Sequence, residues 1–95
     1  MMGSANYQIE LSPAAERDTR KLYRRISRQD SERLIAAIDK LAEEPRPRGV
    51  RKIERAVTAY RMRVGRYRIV YDVFDDKKRV VILELTRRNE ATYNL

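Results

Sequence analysis

The chain has 95 residues, room for one domain on a single hydrophobic core and near the lower end of what stands without staples. It contains neither cysteine nor histidine. That excludes disulfides and thiol chemistry, points to a reducing compartment, and removes the commonest metal ligand and general base. No apolar run is long enough for a signal peptide or a membrane span, so the expected location is cytoplasmic, with no metal and no cofactor. Met1-Met2-Gly3-Ser4 reads as a start followed by a cloning scar, which leaves residues 1–5 outside a single domain spanning 6–95.

The first predicted element is a short strand at Tyr7-Gln8-Ile9-Glu10-Leu11, where apolar and polar residues alternate. Ser12-Pro13 then supplies an N-cap and a proline at the first helical position. The helix is expected to run to about Ile26, with Ala15, Leu22, Tyr23 and Ile26 inward. After a break at Ser27-Arg28-Gln29-Asp30, Asp30 or Ser31 can cap a second helix. Leu34, Ile35, Ile38, Leu41 and Ala42 form its amphipathic stripe, and Pro45 and Pro47 end it. The short connection predicts an antiparallel helical hairpin.

The second half reads as strands. Gly49–Ile53 is a candidate short edge piece. Ala59–Val64 and Tyr67–Phe74 flank Gly65-Arg66, a two-residue loop with glycine first, as a type II′ turn requires. Asp75–Lys78 is a second turn, leading into Arg79–Thr86. The expected fold is α+β, in the order β-α-α-β-β-β, with the N-terminal helical hairpin packed on one face of a small, mainly antiparallel sheet.

The formal net charge is +8, and its placement is uneven. Residues 1–45 hold eight basic and eight acidic side chains, and residues 69–95 hold five of each. Residues 46–68 hold nine basic groups (Arg46, Arg48, Arg51, Lys52, Arg55, Arg61, Arg63, Arg66, Arg68) against the single acid Glu54. A concentrated field of this kind attracts a polyanion, and arginine favours bidentate phosphate contacts over diffuse solvation.

Register turns this segment into a surface. The Gly65-Arg66 loop sets Val64 opposite Tyr67, so Tyr60, Met62 and Val64 share a side with Tyr67, Ile69, Tyr71 and Val73. Arg61 and Arg63 then share the other side with Arg68, Val70, Asp72 and Phe74. If Phe74 pairs with Arg79, that side continues through Val81, Leu83, Leu85 and Arg87. Four arginines from three strands would converge there: Arg61, Arg63, Arg68 and Arg87. A β-bulge would flip everything beyond it. The apolar residues among the arginines call for cover by the C-terminal tail or by a partner. Glu84 falls on the helix side, with no reason for a carboxylate to be there.

The run Tyr60-Arg61-Met62-Arg63-Val64-Gly65-Arg66-Tyr67-Arg68-Ile69-Val70-Tyr71, followed by a hydrophobic strand and Thr86-Arg87-Arg88-Asn89-Glu90-Ala91-Thr92-Tyr93, resembles the RelE/ParE toxin superfamily. The likeness extends from residue 6 over nearly the whole chain. In its RelE-like branch it implies a toxin of a type II toxin–antitoxin module. Such a toxin is a ribosome-dependent, metal-independent endoribonuclease, an mRNA interferase that cuts A-site message by 2′-hydroxyl attack. The resemblance puts Arg61 and Arg63 at the basic pair, Arg68 after the turn, Arg87 past the last strand and Tyr93 at the terminal aromatic, all as catalytic residues. Arg51, Lys52, Arg55, Arg66 and Arg88 are assigned to RNA contact. A cognate antitoxin, forming a hetero-oligomer, is the implied partner, with a contact segment both acidic and apolar.

The basic pair departs from the best-known members, where lysines stand. A lysine can be desolvated into a base, whereas a guanidinium stays protonated. The base is therefore open between Tyr93 as phenolate, Glu90, and an arginine assisted by ribosomal groups. Two other functions compete: a ParE-like inhibitor of DNA gyrase, and a non-catalytic RNA-binding module.

Overall fold

The computed structural model describes residues 7–54 and 56–87. β1 (Gln8–Leu11) runs into α1 (Pro13–Tyr23) and α2 (Arg28–Glu43), followed by β2 (Arg51–Lys52), β3 (Ala59–Val64), β4 (Tyr67–Phe74) and β5 (Arg79–Arg87). The strands form one sheet in the order β1-β5-β4-β3-β2. The pairing of β1 with β5 is parallel and the others are antiparallel. This is the expected α+β architecture, with β2 as a two-residue edge strand beside β3.

Local chemistry starts each helix. Ser12 accepts the Ala15 N–H at 3.1 Å, and Pro13 follows at the first helical position. α2 begins earlier than expected, because Ser27, not Asp30 or Ser31, is the cap and accepts the Asp30 N–H at 3.0 Å. Asp30 instead falls in the first turn, where a carboxylate suits the helix dipole. α1 stops at Tyr23, short of Ile26.

The core lies between the helices and one face of the sheet. Met62, Tyr67, Ile69, Tyr71, Val73, Val80, Ile82 and Leu85 are buried against Ala15, Leu34 and Leu41. Side chains such as Leu41, fully enclosed, each contribute roughly 1.5–3 kcal/mol by leaving water. Tyr71 is wholly buried and donates to the Pro45 carbonyl at 2.7 Å. Burial pushes its phenol up to about 12. Two residues expected inward are not: Tyr23 is 56% and Ile35 46% exposed. They sit at an apolar groove of about 250 Å³ between α1 and α2, floored by Ile9, Leu11 and Leu85.

The largest departure from the expected register is in β5. Phe74 pairs with Arg79 as predicted, and Tyr71 with Ile82, but Val70 pairs with Glu84. Leu83 is thus the extra residue of a β-bulge. Beyond it every side chain is reversed relative to the unbulged register: Leu85 joins the core opposite Ile69, and Glu84 and Thr86 move to the open face. The bulge lies where β1 has ended at Leu11 and leaves the edge of β5 unpaired. α1 and its N-cap residue supply the missing partners. The Ser12 hydroxyl donates to the Leu83 carbonyl at 3.3 Å, and the Leu85 N–H donates to Asp18 Oδ2 at 3.2 Å.

Candidate polyanion-binding face

The hairpin of β3 and β4 turns at Gly65, whose φ of +57° suits glycine at the first loop position. The register sets Arg61 opposite Val70 and Arg63 opposite Arg68, and β2 sets Arg51 opposite Arg61. These four arginines, with Gly49, line an open polar cavity of about 400 Å³ on the sheet face away from the helices. Gly49 has φ +98°, which lets the chain turn sharply from Pro47 into β2.

Two of the cross-strand pairs here are arginine opposite arginine. Like charges directly opposed on a sheet destabilise it. Nothing among the described residues offsets this for Arg51, Arg61 or Arg63, since none forms an ion pair. A bound anion would, and guanidinium groups arranged this way suit the bidentate grip of a phosphate.

Arg87 does not join them. The bulge places it opposite Tyr67, on the parity of the core face. There its charge and that of Arg66 act on the Tyr67 hydroxyl, which donates to Asp30 Oδ2 at 3.0 Å. Burial and that hydrogen bond raise the phenol, and the two arginines pull it partly back. The Arg33 guanidinium lies at the same turn, 3.4 Å from where a Cβ on Gly65 would stand. The expected convergence of four arginines from three strands is therefore corrected: Arg51 replaces Arg87, and the strands are β2, β3 and β4. Parity missed this because it carries no information on where a bulge falls.

The other cations of the basic segment divide. Lys52 pairs with Tyr60, on the opposite parity, and is exposed. Arg66 is exposed at the hairpin tip. Arg46 is locked: its guanidinium bonds Asp75 at 2.7 and 3.2 Å, donates to the Tyr60 hydroxyl at 2.9 Å and lies over that ring. The carboxylate raises the Arg46 guanidinium, and Arg46 with the Tyr7 hydroxyl holds Asp75 below the ordinary carboxylate range. Arg55, Arg88, Glu90 and Tyr93 lie outside the described residues. Among the described residues no group of three or more His, Cys, Asp or Glu side chains could hold a metal, and no helix is long and apolar enough to cross a membrane.

Residues 9–92 match the family model described as ParE toxin of type II toxin-antitoxin system, parDE. The chain belongs to this toxin family, within the RelE/ParE superfamily. Among solved structures it is similar to the archaeal RelE–RelB complex of Pyrococcus horikoshii OT3, at 28% identity and a TM-score of 0.74, over 90% of this chain and 98% of that one. It is also similar to the RelBE2 toxin–antitoxin complex of Mycobacterium tuberculosis, at 25% identity and a TM-score of 0.70, over 90% and 95%. The isolated RelE toxin of E. coli shares the fold at 23% identity and a TM-score of 0.68, over 93% of both chains. No curated protein matches the sequence significantly.

Proposed function

We propose that this toxin is a ribosome-dependent, metal-independent endoribonuclease that cuts message by attack of a 2′-hydroxyl on the adjacent phosphate. The observation that carries the reading is the cavity lined by Arg51, Arg61, Arg63 and Arg68. Arg68 stabilises the charge that builds on phosphorus oxygens, while Arg61 and Arg63 hold the backbone on either side. Arg51, Lys52, Arg55 and Arg66 draw RNA toward the face. Arg87, at the hairpin end, leads into Arg88 and Tyr93, which contact the bases beside the cut. The site of action is the cytoplasm, on A-site message.

The partner is an antitoxin, as in the RelE–RelB complexes whose fold this chain shares. The groove lined by Leu11, Leu22, Tyr23, Ile26, Ile35 and Ile38 offers an apolar seat, and the arginine face suits acidic side chains of the same partner.

A second reading, inhibition of DNA gyrase through protein contacts, is favoured by the family model, which is that of ParE toxins. Two assays side by side separate the readings: message cleavage on programmed ribosomes, and supercoiling by gyrase. Cleavage without loss of supercoiling is the expected result. Blocked supercoiling with intact message would transfer the function to the second reading.

A further inference from the structure

Three carboxylates stand among the described strand residues of the open sheet face, and two of them are occupied. Glu10 is bound by Arg79 through two contacts of 2.6 Å, and Asp72 accepts from the Thr58 hydroxyl at 2.9 Å. Glu84 is exposed and makes no hydrogen bond or ion pair with a described residue. The Leu83 bulge is what brings it to this face.

Its neighbours explain why it is not neutralised by Arg61. Arg61, Val70 and Glu84 form one row across β3, β4 and β5, so a valine stands between the two charges. Strand spacing separates Arg61 from Glu84 by roughly 10 Å at the backbone. The next row is Arg63, Arg68 and Thr86, and a diagonal neighbour such as Arg68 lies about 7–8 Å from Glu84. Glu84 is not among the side chains that line the arginine cavity, but from this diagonal position its side chain and that of Arg68 can reach one ribose and its 3′-phosphate together. For binding alone this placement is adverse, because a carboxylate repels the polyanion that the arginines attract. For proton abstraction it is what the reaction needs, since the guanidinium groups of the cavity stay protonated.

We infer that Glu84 is the general base of the cleavage reaction, an assignment that rests on the ribonuclease reading. Its carboxylate takes the proton of the 2′-hydroxyl, and the 2′-oxygen forms a bond to phosphorus. The bond from phosphorus to the 5′-oxygen breaks, its electron pair stays on that oxygen, and water supplies the proton that completes the 5′-hydroxyl. The products are a 2′,3′-cyclic phosphate and a 5′-hydroxyl, and the proton on Glu84 returns to solvent.

The test compares the wild-type chain with Glu84→Gln and Glu84→Asp on programmed ribosomes, reading cleavage rate against pH and, separately, RNA affinity. Glu84→Gln is expected to bind RNA as tightly or more tightly, yet to cut about 100-fold or more slowly. The fall in rate on the acid side that a carboxylate base imposes should vanish, and Glu84→Asp should keep part of the rate. Glu84→Gln cutting at the wild-type rate with an unchanged pH profile overturns the assignment while leaving the ribonuclease reading intact. So does a parallel loss of RNA affinity and rate, the mark of a residue that only positions. A wild-type chain that cuts no message removes the ribonuclease reading first and the assignment with it.

Discussion

Arg46 and the arginines of the cavity come from one basic stretch of sequence, yet they meet opposite fates. At the Arg46 end, Asp75 and the hydroxyls of Tyr7 and Tyr60 absorb the charge and tie the exit of α2 to the β4–β5 turn and the start of β1. At the other end Arg51, Arg61 and Arg63 have no carboxylate partner among the described residues and share a cavity with Arg68. The difference teaches that an excess of cations locates a site only after the fold has spent some of them on itself. On the sheet face, Arg51, Arg61 and Arg63 are what remains for a polyanion under the proposed function.

The sharpest way to break this contrast is to remove charge at each end in turn. Arg63→Ala with Arg68→Ala should lower cleavage at least about 100-fold, the loss typical of a removed transition-state donor, with the fold intact by circular dichroism. Arg46→Ala should leave cleavage in place and lower the melting temperature instead. Reversal of those two results would dissolve the division.

A second test concerns the bulge that decides which side chains of β5 lie on the open sheet face. Asp18→Ala leaves the part-buried Leu85 N–H without its acceptor and should cost about 1 kcal/mol in urea unfolding. A neutral result would mean that Asp18 does not hold the bulge.

Acid should act on the Arg46 end. The carboxyls of Asp75 and Glu10 are held below their ordinary values of 3.8 and 4.5 by the guanidinium groups of Arg46 and Arg79. Folded values below unfolded ones give stability that is fully present above the unfolded values and is lost as pH falls through the folded ones. Melting temperatures should therefore decline below about pH 4.5, and Asp75→Asn should shrink that decline. An unchanged acid limb in this variant would show that the Asp75 cluster contributes nothing to it.

The smallest effect is in salt dependence. Arg51→Ala should reduce the slope of log affinity against log salt for single-stranded RNA by about 0.7, one phosphate contact. Arg46→Ala should leave the slope unchanged, because its charge is already spent on Asp75.

Much of the fold is legible in the sequence alone. Ser12-Pro13, the alternation in Tyr67–Phe74 and the glycine of the Gly65-Arg66 loop each carry a local physical signal, and β3 and β4 have the expected limits. The Arg61, Arg63 and Arg68 cluster was legible for the same reason, since a two-residue turn determines parity. Arg51 was placed only loosely, because a two-residue strand has no pattern to read. The cap of α2 is not legible locally, because Ser27, Asp30 and Ser31 are all capping residues within five positions. Tyr23 and Ile35 fall on the apolar stripes yet stay exposed, because periodicity reports a face of a helix and not whether a neighbour covers it.

What the sequence by itself determined about this protein is therefore the set of elements, the hairpin register and the concentration of positive charge, all products of interactions between near neighbours in the chain. Only the tertiary structure decided which arginines remain available and which residues of β5 face them. Asp75 reaches Arg46 across 29 positions, and Ser12 and Asp18 of the first helical segment satisfy the bulge in the last strand. A bulge is stable only where its unpaired backbone groups find partners, and those partners were brought from the far end of the chain by the packing of α1 on β5. That packing moved Arg87 away from the arginine face and brought Glu84 to it.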